Sequence, residues 1–66
     1  MKNTIRLHRA LKNITQADLA NLIQVSRQTI NTIESNKYVP STLLALKISK
    51  VFNVSVEEIF ELEYGD

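Results

Sequence analysis

Residues 26–35 carry side chains that could bind another molecule along one side of a helix. Successive residues of a helix are separated by ~100°, which places Ile30 and Ile33 on the same side. The opposite arc holds guanidinium, amide and hydroxyl groups and no carboxylate. Its members are Arg27, Gln28, Asn31, Thr32 and Ser35. A face that is only solvated usually mixes glutamate with lysine, so this composition favours a face that contacts a ligand.

The chemistry of this arc matches the edges of nucleic-acid bases. Arginine donates to guanine, asparagine or glutamine pairs with adenine, and threonine meets the thymine methyl group or an acceptor. Short polar helices are also common on protein surfaces, which leaves a merely solvated face as the alternative. The elements that must position the arc therefore have to be considered.

The segment 16–23 is a second short helix that precedes the first by only a few residues. Leu19, Ala20 and Ile23 form its apolar side, and the small Ala20 lets two helices cross closely. Gln16 lies at its beginning, where a phosphate also meets free main-chain N–H groups. Two short helices, a tight turn and a polar outer face on the second describe a helix-turn-helix.

Capping signals divide the whole chain into short helices. The chain has one glycine, so we expect asparagine to supply the left-handed residues that end helices. These residues are Asn13, Asn36 and Asn53, and the expected N-caps are Thr15, Ser26, Ser41 and Ser55. Thr15 and Asp18 approximate a capping box, and Ser55 and Glu58 fit one fully. The expected helices are 4–12, 16–23, 27–35, 42–52 and 56–60.

The tail 60–64 alternates apolar and acidic residues, which is the period of a β-strand. An isolated strand is not stable, so we expect it to pair with residues 2–5. The predicted fold is therefore all-α, with five helices and a short two-stranded sheet that joins the termini. At 66 residues the chain forms one domain, 1–66, and buries only a small core.

Composition excludes several classes of function. The chain has no cysteine and one histidine, His8, so it offers no zinc site. A phosphate-cradling loop needs glycines that are absent here, and we expect neither an enzyme nor a cofactor nor a small-molecule ligand. No apolar run is long enough to span a membrane and no signal peptide opens the chain, so we expect a cytoplasmic protein.

The formal charge of +1 conceals an uneven distribution. Residues 1–50 hold all eight lysines and arginines and two acids, Asp18 and Glu34, whereas residues 51–66 hold five acids and no base. This asymmetry indicates a basic working surface and an acidic far end. The alternative is chance clustering on a solvated surface.

The sequence TQADLANLIQVSRQTINTIESNKYVPS, residues 15–41, resembles the helix-turn-helix of the Cro and lambda-repressor type, also called the Xre family. The resemblance extends through residues 46–60 and 5–14, and thus covers nearly the whole chain. Small stand-alone members of this length regulate transcription as dimers. The resemblance thus implies a five-helix lambda-repressor-like domain that binds double-stranded DNA.

The resemblance also assigns roles to individual positions. It implies that Gln16 contacts backbone or base. The positions that match base-reading residues are Arg27, Gln28 and Thr32, and those that match residues near phosphates or flanking bases are Ser26, Asn31 and Lys37. Arg9 and Glu34 match a pair that often forms a salt bridge between the first and third helices. The alternative for Arg9 is a basic side chain that faces a DNA phosphate instead of forming this salt bridge.

Some positions depart from the family pattern. Gln24 stands in the turn where a glycine is usual, and His8 stands where an aliphatic residue is usual, which suggests a partly buried packing histidine. Periodicity alone places Leu7, Ala10, Leu11 and Ile14 in the core, whereas the family register favours Ile5 and His8. Leu7, Leu11 and Leu22 occupy positions where the family often carries charges. They cover the terminal strand, line a partner surface, or are scattered surface residues.

One short recognition helix buries too little surface for specific binding, and two-fold dimers solve this by reading half-sites about 34 Å apart. The apolar residues expected at the dimer surface are Val39, Pro40, Val54, Val56 and Ile59. Alternatively some of them, Ile59 and Val54 first, belong to the core. The resulting hypothesis is a homodimeric repressor on a palindromic operator, with residues 27–35 in the major groove. The alternative is a protein-interaction or antitoxin module on the same fold.

Overall fold

A computed structural model, which describes all 66 residues, contains five helices and one two-stranded sheet. The helices are α1 (Ile5–Lys12), α2 (Gln16–Ile23), α3 (Arg27–Glu34), α4 (Thr42–Phe52) and α5 (Val56–Ile59). The strands are β1 (Lys2–Asn3) and β2 (Phe60–Glu61). The predicted five-helix, all-α architecture with paired termini is confirmed. None of the helices has the length and apolar character that crossing a membrane requires.

The helices begin at the predicted capping residues. The hydroxyl oxygens of Thr15, Ser26, Ser41 and Ser55 each accept a hydrogen bond from the main-chain N–H three residues on. The capping box of Thr15 and Asp18 is complete. The box predicted at Ser55 is only half formed, because the Glu58 carboxylate accepts from the Ser55 hydroxyl instead of the Ser55 amide.

Four helices end at a residue in the left-handed conformation. Three are the predicted asparagines, Asn13, Asn36 and Asn53, and the fourth is Gln24 in the turn of the helix-turn-helix. At each, this residue and the next donate their N–H groups back to the carbonyls three and five residues earlier. This is the Schellman pattern, which satisfies carbonyls that the helix end leaves free. Asparagine thus supplies the left-handed residue that glycine usually supplies at a helix end.

The core consists of nine apolar residues contributed by every helix and by β2. They are Ile5, Leu19, Ala20, Ile23, Ile30, Ile33, Ile48, Ile59 and Phe60. The seam of Ile30 and Ile33 and the inward set of α2 are therefore as predicted. Ile59 was expected at a dimer surface, but only 1% of it is exposed. Because its side chain fills the core, it offers nothing to a partner.

Helix α1 packs by the side that the family register favours. Ile5 is fully buried, and the ring of His8 lies 5.5 Å from the ring of Phe52. Periodicity was wrong for Leu7, Ala10 and Leu11, which are exposed. The physical reason lies in Arg9, which shares a face with Ile5 and turns inward to an ion pair on α3.

The antiparallel sheet pairs Lys2 with Glu61 and Asn3 with Phe60. It is shorter than the predicted strands, because Ile5 already belongs to α1 and the chain leaves the sheet after Glu61. Thr4 continues the link, since its N–H donates to the Ile59 carbonyl at 2.8 Å. The sheet thereby joins the N-terminal and C-terminal segments of the chain.

Candidate nucleic-acid interface

Helix α3 presents the predicted polar arc to solvent. Arg27, Gln28 and Asn31 are exposed, while Ile30 and Ile33 on the opposite side are buried. Thr32 is partly buried, and its hydroxyl donates to the Thr29 carbonyl at 2.9 Å. The helix is therefore fixed by its apolar side, and the Arg27 and Gln28 side chains on its polar side remain exposed.

Two other predicted residues lie at the ends of α3. The Ser26 hydroxyl caps the helix and bonds the Thr29 hydroxyl at 3.0 Å, so it is held close to the N-terminus. Lys37 is exposed just beyond the C-terminal end, where its main-chain N–H donates to the Thr32 carbonyl. A cation next to a helix C-terminus is electrostatically stable and remains free to meet an anion.

A bidentate ion pair joins α1 to α3. Arg9 Nε donates to Glu34 Oε2 at 2.7 Å, and Arg9 Nη2 donates to Glu34 Oε1 at 3.0 Å. Only 2% of the Glu34 side chain and 15% of the Arg9 side chain are exposed. The hydrogen bonds to Glu34 raise the pKa of Arg9, against the opposing effect of burial. The single carboxylate of α3 is thus directed into the molecule and neutralised.

Gln16 lies at the start of α2 and extends across α3. Its Nε2 atom is 3.4 Å from Asn31 Oδ1 and 3.4 Å from Glu34 Oε1. The structure therefore brings Gln16, Asn31 and Glu34 together, although they lie on two helices. The main-chain N–H groups that begin α2 have no acceptor within the helix, and a phosphate oxygen can accept hydrogen bonds from them.

Two residues at this surface were not identified from the sequence. Arg6 lies with its Nε 3.7 Å from Glu34 Oε1 and with 82% of its side chain exposed. Its position one turn before Arg9 was the available signal, since residues three apart share a helix face. Asn3 donates from Nδ2 to the Ile33 carbonyl at 3.0 Å and thereby ties the end of α3 to β1. No local pattern indicates that contact.

The residues predicted at the dimer surface separate into two groups. Val39, Pro40 and Val56 line an apolar groove of about 220 Å³, together with residues of α4 and the sheet. Val54 lines a different hollow beside His8 and Phe52, so it does not join them.

Leu46 of α4 lines the same groove and was not identified from the sequence, and neither was Leu43, although both are more than half exposed. Their spacing of three residues on an apolar helix was the signal. No three His, Cys, Asp or Glu side chains come together in a group that could hold a metal ion.

The geometry described so far defines a class of protein. Two short helices meet across a left-handed residue, and the second exposes a polar face above a buried isoleucine seam. This arrangement is a helix-turn-helix domain of the kind that places its second helix against DNA.

Residues 5–59 match the helix-turn-helix family, and the chain belongs to that family. It is 56% identical over 63 residues to the HTH-type transcriptional regulator MJ0272 of Methanocaldococcus jannaschii, with 96% of each chain covered. It is 46% identical over 63 residues to the HTH-type transcriptional regulator YgzD of Bacillus subtilis, again with 96% of each chain covered. An HTH-type regulator of Archaeoglobus fulgidus is 47% identical over 60 residues, which cover 91% of this chain and 84% of the relative.

The resemblance to Cro and lambda-repressor type regulators is therefore confirmed. Membership of this family identifies a DNA-binding transcriptional regulator and not an enzyme.

Proposed function

We propose that the chain is a sequence-specific repressor that binds double-stranded DNA as a homodimer, with α3 in the major groove. The observation that carries this proposal is the exposed face of Arg27, Gln28 and Asn31 above the buried Ile30 and Ile33. A helix held in this way can enter the major groove without disturbing the core. The chain acts as one domain, 1–66, and works in the cytoplasm where bacterial or archaeal DNA lies.

Residues at the centre of the exposed face of α3 recognise the bases. Arg27 and Gln28 offer the extended donor groups that reach base edges. The hydroxyl hydrogen of Thr32 is committed to the Thr29 carbonyl, so Thr32 contributes its methyl group or an acceptor lone pair. The three positions together read the bases of one half-site.

Contacts with phosphates and flanking bases surround this centre. Ser26, Asn31 and Lys37 lie along or beside α3, and Gln16 marks the start of α2 with its free main-chain N–H groups. The largely exposed Arg6 adds a cation on the neighbouring helix. Because Arg9 neutralises Glu34 inside the molecule, no unpaired carboxylate of α3 opposes the approach of DNA.

The dimer proposal rests on the apolar groove. Val39 is 66% exposed and Leu46 is 54% exposed, and both line the groove with Pro40 and Val56. Apolar side chains that a solvated surface does not need are typical of an interface. A second copy of the chain seated on this side produces an isologous contact, and a palindromic operator matches its two-fold symmetry.

Three exposed leucines favour a second candidate function. Leu7, Leu11 and Leu22 are each more than half exposed on α1 and α2. A protein-interaction or antitoxin module would use such residues to bind another protein. Because an antitoxin can also bind DNA, these two functions overlap, and DNA binding must be tested first.

A mobility-shift titration with the DNA upstream of the gene separates the two candidates. The regulator predicts a discrete complex that weakens steeply with salt and resists competition by unrelated DNA. A fixed-length duplex of shuffled sequence serves as the matched control. Absence of any shift at micromolar protein would contradict the regulator and favour the interaction module.

A further inference from the structure

We propose that Glu34 fixes the hydrogen-bonding direction of Gln16 and Asn31, and that Asn31 consequently selects guanine over adenine. The inference rests on the proposed function, since it names which base one residue of the DNA face accepts. It is carried by three side chains that lead from the interior to the surface, namely Glu34, Gln16 and Asn31.

The first of these contacts involves the Glu34 carboxylate, which can only accept hydrogen bonds. Both oxygens of Glu34 accept from the Arg9 guanidinium, at 2.7 and 3.0 Å. A carboxylate in such a pair has no hydrogen to donate. An amide placed against it must therefore present nitrogen and not oxygen. Gln16 does so, with Nε2 3.4 Å from Glu34 Oε1.

The same nitrogen also fixes the orientation of the Asn31 side-chain amide. Gln16 Nε2 is also 3.4 Å from Asn31 Oδ1. An amide nitrogen carries two hydrogens, and the two acceptors around it take one each. Because Asn31 faces a donor, it must present its oxygen. The buried carboxylate thus determines the orientation of an exposed amide with which it has no direct contact.

This orientation decides what Asn31 offers to DNA. Its Oδ1 is directed toward Gln16, whereas both hydrogens of Nδ2 lack a partner within the chain. Pairing with adenine needs an amide oxygen for N6 and a nitrogen for N7, both facing outward. Guanine presents two acceptors, N7 and O6, at the same edge. Asn31 in the observed orientation matches guanine.

The contacts also restrict Gln16. With both hydrogens of Nε2 engaged by Glu34 and Asn31, the side chain has only Oε1 to present to the solvent. A phosphate group has acceptors alone, so it cannot bond to that oxygen. A phosphate at the start of α2 is instead bound by main-chain N–H groups.

The orientation can be tested first on the free protein. Nitrogen-resolved NMR measures how fast the side-chain amide hydrogens exchange with water. We expect exchange at Gln16 to be roughly two- to tenfold slower than at the exposed Gln28, the protection that a hydrogen bond of ordinary net strength gives. Asn31→Ala should speed exchange at Gln16 and leave Gln28 unchanged. Equal exchange at the two glutamines of the unaltered protein would overturn the proposal.

The base preference is then measured by selecting duplexes from a random pool with three proteins. These are the unaltered chain, Asn31→Ala and Gln16→Ala, and both substitutions lie outside the core, so circular dichroism should show an intact fold. The base pair at which Asn31→Ala loses its preference marks the contact. There the unaltered chain should favour guanine over adenine by about tenfold, and Gln16→Ala should remove most of that preference because the amide can turn.

The outcomes separate this inference from the proposed function. Adenine preference at the marked base pair, a guanine preference that persists in Gln16→Ala, or no base pair that depends on Asn31 would overturn the inference alone. Failure of the unaltered chain to retain any duplex would overturn the proposed function and this inference with it, and the exchange rates would still report the orientation of the amides.

Discussion

Arg9 Nε lies 2.7 Å from Glu34 Oε2, and this contact ties α1 to α3. Glu34 has almost no exposed side-chain surface, so the pair is a buried one. Removing one partner leaves the other charge buried without compensation, which costs much more than replacing both. The pair therefore couples stability to the position of α3.

We expect Glu34→Ala to lower the free energy of unfolding by about 3–5 kcal/mol, because it strands the Arg9 guanidinium. The double variant Arg9→Met with Glu34→Leu should lose much less, since no charge remains buried. Urea titrations followed by circular dichroism measure both. Equal losses in the single and double variants would contradict the importance of the stranded charge.

The exposed face of α3 predicts a separate effect on DNA affinity. Arg27→Ala and Gln28→Ala should each weaken binding to the selected operator by about 1–3 kcal/mol and relax the base preference at one position. Stability should change little, because both side chains are exposed. Fluorescence anisotropy on the operator and on single-base variants provides the measurement. Glu57→Gln in the acidic α5 serves as the control and should bind normally.

Lys37 predicts a change in salt dependence and not in base preference. Lys37→Ala should weaken binding to all duplexes about equally and reduce the slope of log affinity against log salt by about 1. The matched control is Lys50→Ala, at the end of α4, which removes the same charge away from α3. If both variants show the same slope, Lys37 has no special contact with phosphate.

The apolar groove predicts a dimer that depends on Leu46. Replacing Leu46 with glutamate places a charge among Val39, Pro40 and Val56, and should shift the chain to a monomer. Sedimentation equilibrium at tens of micromolar measures the mass. Leu11→Glu introduces the same charge on the exposed side of α1 and should leave the dimer intact. A monomer in the unaltered protein would refute the proposed interface.

The turn between α2 and α3 holds Gln24 at φ 62°, a conformation that glycine adopts without steric cost. Gln24→Gly should raise the free energy of unfolding by about 0.5–1 kcal/mol, after the greater flexibility of glycine in the unfolded chain is subtracted. Asn21→Gly, in the preceding helix, should be destabilising. Thermal unfolding of the two variants gives the comparison, and a loss of stability in Gln24→Gly would contradict strain at this turn.

Local chemistry made most of the fold predictable. The hydroxyl caps and the asparagines that end helices act within one turn of the chain, and the helices they delimit agree with the structure to within one residue at each end. The buried side of α1 was not predictable from periodicity, because Arg9 reaches a partner 25 residues away. Sequence spacing along one helix contains no information on that partner.

The candidate site was predictable to a similar extent. The exposed face of α3 follows from helical periodicity and the seam of Ile30 and Ile33. Asn3 was missed because its position relative to α3 depends on how separate elements pack. Arg6 was missed although its spacing from Arg9 places both residues on one face of α1. Ile59 was predicted at the dimer surface. An apolar residue near a chain end gives the same sequence pattern whether it lies in the core or at such a surface.

The sheet between β1 and β2 has a consequence for the order in which the molecule assembles. Lys2 must find Glu61 across nearly the entire chain, whereas α2 and α3 meet across a turn of a few residues. Closing a long loop costs more entropy than closing a short one, and proteins are synthesised from the N-terminus. Helices α2 and α3 can therefore associate while β1 still lacks its partner, and we expect the strand pairing that holds Asn3 against α3 to form late.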